Sequence, residues 1–410
     1  MKPQLLVVTP GGQWFREYLL NSISQDYRVH LFCDREPAWE REYLHGWTLL
    51  NTLDVDAMTA AAHAVSAENR IDGVICWDET RILGASRVTE ALGLPGGDPE
   101  VVARCRDKHR TRLALAARNV PQPRSLPVAD VDAALAAGRS TGYPAVLKPR
   151  ALGGSIGVTV VRSPAEVAAG FAIADTGHAA LPEVPADDWG ILWEEYADGP
   201  EISVDAAVFR GEVRPICVGH KQLGFAPYCE EVGHLVDGAD PLLTDPELLA
   251  VLRDTHAALG FTDGMTHTEL RLTAAGPRVI EVNARVGGDL IPYLGLLVGG
   301  TDPGLAAAAI ACGRQPRTVQ PAARVAAIRF FYPEHDDTAV GSVRVDGGLP
   351  PAVDRFVVLA EPGATLSPPP KGTMVGRVAY ATVVADDRQG CLAALDAVQE
   401  RLRILPPDAA

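Results

Sequence analysis

A chain of 410 residues at 47% hydrophobic content has material for two or three cores, and its formal charge of −15 leaves no basic surface on which to hold a polyanion. Nucleic acid is therefore a poor partner, and small molecules are the better expectation. The seven scattered cysteines contain no CxxC pair, which argues against a disulfide framework or structural zinc and favours a reducing cytoplasm; neither a signal peptide nor a bilayer-length apolar run is expected.

The first hundred residues alternate short apolar runs, Leu5 to Val8, Val29 to Cys33 and Gly73 to Trp77, with helix-like segments. This is the pattern of a parallel sheet covered by helices, so residues 1–105 are read as one α/β domain. Gly11 and Gly12 in VTPGGQW lack the GxGxxG spacing and are read as turn glycines. Asp98 as cap and Pro99 in the first turn start a helix expected to run through RDKHRTR to about Arg118. From Pro144 the texture becomes extended: AVLKP, GVTVV, ILWEEY, EISVDAAVF and EVRPICV form a two-layer α+β region. THTELRLT and RVIEVN flank the turn TAAGP and should pair antiparallel. The tail from Gln315 carries strand signals in RVAAIRFFY, RFVVLA and RVAYATVVA and reads as a small α+β closing subdomain.

Strand alternation puts Glu281 and Asn283 on one face of RVIEVN, with Ile280 and Val282 on the other, and groups His267, Glu269 and Arg271 on the partner strand. Two carboxylates and a carboxamide sharing a face suit a hard cation such as Mg2+ or Mn2+; a solvated face with an ordinary ion pair is the plainer alternative. Arg285 follows on the same face before VGGD, placed to stabilise negative charge or simply to pair with Asp289. Lys148 ends a strand and precedes a loop with Gly153, Gly154, Ser155 and Gly157, which can approach a phosphate and close as a lid, or serve only as a hairpin turn. Glu194, Glu195 and Tyr196, then Glu201 after a DGP turn, suit adenine and ribose hydroxyls, or form a polar hairpin edge.

Taken together, Lys108, the Lys148 glycine loop, the Glu194 to Glu201 segment and the spacing HTEL…IEVNARVGGD resemble the ATP-grasp superfamily of carboxylate–amine ligases. Within it the chain is most similar to L-amino-acid ligases, the dipeptide synthetases, over about residues 1–312 and weakly in the tail. The resemblance implies an ATP-grasp fold, α/β and α+β. Its parts would be an N-terminal Rossmann-like (pre-ATP-grasp) domain over 1–105, an ATP-grasp domain over 106–312 with subdomains 106–188 and 189–312, and a C-terminal α+β subdomain over 313–410. It further implies that Lys108 and Lys148 contact the phosphates of ATP beneath the Gly153 to Gly157 loop. Glu194, Glu195 and Tyr196 would lie at the adenine, Glu201 near the ribose, the metal on Glu269, Glu281 and Asn283, and the transition state on Arg285. Glu231 and His234 in APYCEEVGH resemble the pair lining the amino-acid pocket, and His220 and Lys221 are further candidates. The implied reaction is attack of a carboxylate on the γ-phosphate, then of an amine on the acyl phosphate. A ligase of another substrate class (carboxylase, purine or cofactor biosynthesis) and a non-catalytic nucleotide-binding protein are the alternatives, and a homodimer is a fair expectation.

Overall fold

The computed structural model describes residues 2–151, 153–176 and 190–407. Contacts divide the chain into two compact units: Met1–Gln122, Ser203–Val218 and Pro241–Gln320 form the first, and Pro123–Ile202, Gly219–Asp240 and Pro321–Ala410 the second. The subdomain boundary expected at 188/189 lies outside the described residues. Among those residues no helix is long and apolar enough to cross a membrane.

The first unit opens with a four-stranded parallel sheet in the order Gly46–Leu49, Arg28–Cys33, Gln4–Val8, Gly73–Cys76. Every residue of Gln4–Val8 is buried, as a continuous apolar run in a doubly covered strand requires. The edge strand Gly46–Leu49 escaped the sequence reading because GWTL is short and only half-buried or exposed along its length. The single helix expected from Pro99 to about Arg118 is two helices, Pro99–Arg106 and Lys108–Ala117. Asp107 between them is extended, and its carboxylate accepts the backbone N–H groups of His109 at 2.8 Å and Arg110 at 3.3 Å. An N-cap has outcompeted continuous helix, and the restart sets Lys108 in a first turn. In a second sheet of this unit, Gly264–Thr273 lies between Gly276–Asn283 and Glu201–Phe209 and pairs antiparallel with the former, as expected around TAAGP.

In the second unit, Ser125–Val128, Ile191–Glu195, Ala145–Pro149 and Thr159–Val161 form an antiparallel sheet in that order. Helices Val131–Thr141 and Val167–Thr176 cover it, and Leu147 and Trp193 are fully buried in the core between. The tail strands also form: Val325–Phe331 pairs on one side with Glu230–Asp237 and on the other with Ala379–Ala385, beyond which lies Val353–Val358. The helix Arg388–Arg401 packs its Cys391, Leu395 and Val398 face on these strands.

Candidate active site

The hairpin Gly264–Thr273/Gly276–Asn283 sets Glu269 directly opposite Glu281 and His267 opposite Asn283. The alternation expected for RVIEVN holds only in part. Between Glu269/Glu281 and Leu270/Val279 the register skips Ile280, a β-bulge, so the fully buried pair is Val279 and Val282 and Ile280 is only half-buried. Arg112, itself buried, holds the bulge: its guanidinium donates at 2.8 Å to the carbonyl of Val279 and at 2.8 Å to that of Ile280. One helical turn earlier on the same face, Lys108 Nζ lies 3.0 Å from a Glu281 oxygen. Two carboxylates facing each other repel, and a cation relieves that repulsion. Lys108 supplies one positive charge, and the oxygen-only donor set of Glu269, Glu281 and Asn283 is of the kind that could take a hard divalent cation as a further one.

Arg285 joins this group. Its Nε donates to Glu79 Oε2 at 2.7 Å and its Nη1 to the Val286 carbonyl at 3.0 Å. Burial opposes its charge, but Glu79, then Glu281 and Glu269, outweigh burial and raise its pKa. His267 follows the same logic: burial disfavours the charged ring, and Asp205, then Glu269, prevail and push its pKa up to about 9. Glu79, Asp205 and Arg112 were all missed by the sequence reading. Glu79 follows the strand Gly73–Cys76, and nothing local signals a partner 206 residues on.

In the second unit the remaining candidates form two groups. Lys148, near the end of Ala145–Pro149, pairs with Glu194 at 2.7 Å, both side chains almost fully buried. The turn after it carries three successive demands for positive φ, at Gly154, Ser155 and Gly157 (+65°, +57° and +73°), two of which glycine meets without strain. Gly153 opens that turn, accepting the Ile156 N–H. Glu195, on the opposite strand face from Glu194, accepts the Arg124 N–H at 3.2 Å, and Tyr196 is half-buried just beyond the strand.

In the second group Lys221 Nζ sits 3.2 Å from Glu201 and 2.8 Å from Glu231, while His234 Nε2 lies 3.4 Å from the other Glu231 oxygen. Residues three apart on a regular strand point to opposite faces. Here the register of Glu212–Gly224 with Glu230–Asp237 skips Val232, and this second bulge returns Glu231 and His234 to one side. Arg377, also missed, donates to the Glu231 carbonyl at 2.9 Å and stacks 3.6 Å above the Phe330 ring centre. His220 pairs with Asp240 at 2.5 Å instead of joining the Glu231 group directly.

Residues 141–292 match the ATP-grasp domain family. The chain is 28% identical over 338 residues to carnosine synthase 1 of Mus musculus, a match covering 76% of this chain and 40% of that one. It superposes on the crystal structure of an L-amino acid ligase from Bacillus licheniformis with a TM-score of 0.77 and 20% identity, over 99% of each chain. Phosphoribosylglycinamide synthetase from Anaerococcus prevotii shares the fold at a TM-score of 0.73 and 15% identity, over 99% of this chain and all of the other. The chain therefore contains an ATP-grasp domain and has the ATP-grasp fold, and it is similar to carboxylate–amine ligases of that fold. It spans two fifths of the length of the carnosine synthase it matches.

Proposed function

We propose that this protein is an ATP-dependent ligase that joins the carboxylate of one amino acid to the amine of a second through an acyl phosphate, releasing ADP and phosphate. The observation that carries the proposal is the in-register pair Glu269 and Glu281 with Lys108 and Arg285 beside it, an arrangement of opposed charges suited to a metal-bound polyphosphate. The amino-acid part rests on the names of the two ligase relatives and on the Glu231–His234 contact.

Glu269, Glu281 and Asn283 are proposed to hold Mg2+ or Mn2+, which when bound offsets phosphate charge. Lys108 and Lys148 bind phosphate oxygens, and Arg285 meets the charge that grows on the transferred group. Glu194, Glu195 and Tyr196 are assigned to the adenine and Glu201 to the ribose. The turn of Gly153, Gly154, Ser155 and Gly157 excludes water, which would hydrolyse an acyl phosphate. Glu231 orients the incoming ammonium group, His234 Nε2, beside it, takes the proton this group must shed before its nitrogen can attack, and the second proton, lost after attack, leaves with the expelled phosphate. Segments 1–105, 106–312 and 313–410 are proposed as its domains, and the cytoplasm as its location, where the seven free cysteines stay reduced.

The test is ADP and phosphate release with ATP, Mg2+ and pairs of amino acids, the products identified by mass spectrometry. AMP and pyrophosphate would end the acyl-phosphate scheme, and turnover only with bicarbonate or a nucleotide precursor would end the amino-acid assignment. Because Glu281 partners a buried Lys108, Glu281→Gln is the cleaner probe than Ala. It should lower kcat by about 100-fold or more while the fold survives.

A further inference from the structure

Asp205 lies on the strand Glu201–Phe209 and is completely buried. Carboxylates are buried only against donors, and Asp205 has three. Its Oδ1 accepts the backbone N–H of Gly287 at 2.7 Å; its Oδ2 accepts His267 Nδ1 at 3.0 Å and, more weakly, the Cys217 thiol at 3.9 Å. The carbonyl of Gly287 accepts Arg16 Nη1 at 2.9 Å, so both backbone groups of this residue are held by side chains. A Cβ on Gly287 would fall 2.6 Å from His267 Nδ1 and 2.9 Å from Asp205 Oδ2, so the Asp–His pair is packed against the glycine backbone itself. Gly287 lies two residues beyond Arg285. The other nitrogen of His267, Nε2, is 3.7 Å from Glu269 Oε1.

One carboxylate therefore reaches both sides of the proposed phosphoryl-transfer group, the arginine turn through one oxygen and the metal carboxylate through an imidazole on the other. We infer that Asp205 is the positioning residue of this site, fixing Arg285 and Glu269 relative to each other by holding the Gly287 amide and the His267 ring at once. The inference rests on the proposed roles of Arg285 and Glu269. Its physical basis is that charge stabilisation in phosphoryl transfer depends on placement, and that groups behind a metal ligand set its orientation. A merely space-filling Asp205 would contribute to stability and nothing else.

Asp205→Asn preserves volume but turns an NH2 group or a weaker acceptor toward donors that need a carboxylate. In the full-length protein, kcat should fall about 100-fold with the KM for ATP changed by no more than about threefold. Independently of turnover, calorimetric titration of ADP at graded Mg2+ should show that the variant needs about tenfold more Mg2+ for half-maximal affinity. Should Asp205→Asn fail to fold, Arg16→Met, which frees the Gly287 carbonyl and removes a buried positive charge near Arg285 and Asp205, should lower kcat while leaving the Mg2+ dependence of ADP binding in place, whereas His267→Asn should raise the Mg2+ requirement about tenfold as well as lower kcat. An unshifted Mg2+ requirement in Asp205→Asn or His267→Asn, or a kcat loss that vanishes after correction for folded fraction, overturns the inference. A wild-type protein that binds Mg-ADP but turns over no amino acid would instead end the ligase reading and leave the ADP titration to decide on Asp205.

Discussion

Two hairpins, one in each compact unit, carry most of the proposed chemistry, and both are built with one residue too many. In the acidic hairpin the extra residue is Ile280; in the hairpin of Glu231 and His234 it is Val232. Each bulge has a buried guanidinium from a distant segment on the carbonyl just before it: Arg112 on Val279, and Arg377 on Glu231. They differ in where the functional residues fall. Glu281 and Asn283 both follow their bulge, so they share a face by plain alternation. Glu231 and His234 straddle theirs and meet only because of it. A bulge beside a site can thus be silent toward the site residues or can be what creates their contact, depending on one position in the register.

The largest expected effect breaks the comparison from the acidic side. Arg285→Ala should cost about 100- to 1000-fold in kcat, measured as ADP formation at saturating ATP, because it removes charge stabilisation aimed at the transferred group. Next comes pH. His256 is wholly buried, contacting the Leu252 carbonyl at 2.7 Å and Thr266 of the acidic hairpin at 2.8 Å, and burial above all holds its pKa down to about 4. Unfolded, it titrates near 6.5. Between those values the unfolded chain binds the extra proton, so its contribution to stability is present above pH 6.5 and is lost as pH falls through about 4, a loss of about 3 kcal/mol at most. Denaturant melts from pH 7 to 4 should show that decline, and His256→Gln should flatten it.

The two guanidinium clamps come next in size and sharpen the contrast. Arg112→Met takes the guanidinium from the carbonyls of Val279 and Ile280, and Arg377→Met from that of Glu231, each at about 1–3 kcal/mol by urea unfolding. Their kinetic signatures should separate. Arg112→Met should lower kcat by disturbing Glu281, whereas Arg377→Met should raise the KM for the amine substrate by disturbing Glu231 and leave that for ATP unchanged. Identical kinetic effects would show that the two bulges do not serve separate groups.

Much of this molecule is decided locally. The buried run QLLVV makes a doubly covered parallel strand, the turn TAAGP pairs two strands antiparallel, and the glycines after Lys148 meet backbone angles other residues resist. Short-range chemistry also ends the helix at Asp107, whose side-chain cap overrides an apolar spacing that would carry one helix through it. What only the tertiary structure decided is who holds these groups: Glu79 on Arg285 across 206 residues, Arg112 on Val279 across 167, Arg377 on Glu231 across 146, and Gly287 on Asp205 across 82. Three of those four contacts end on a backbone N–H or carbonyl, which every residue but proline carries alike. A side chain that recognises backbone leaves no mark on its partner's identity, so the supports of the site become visible only once the chain has folded around them.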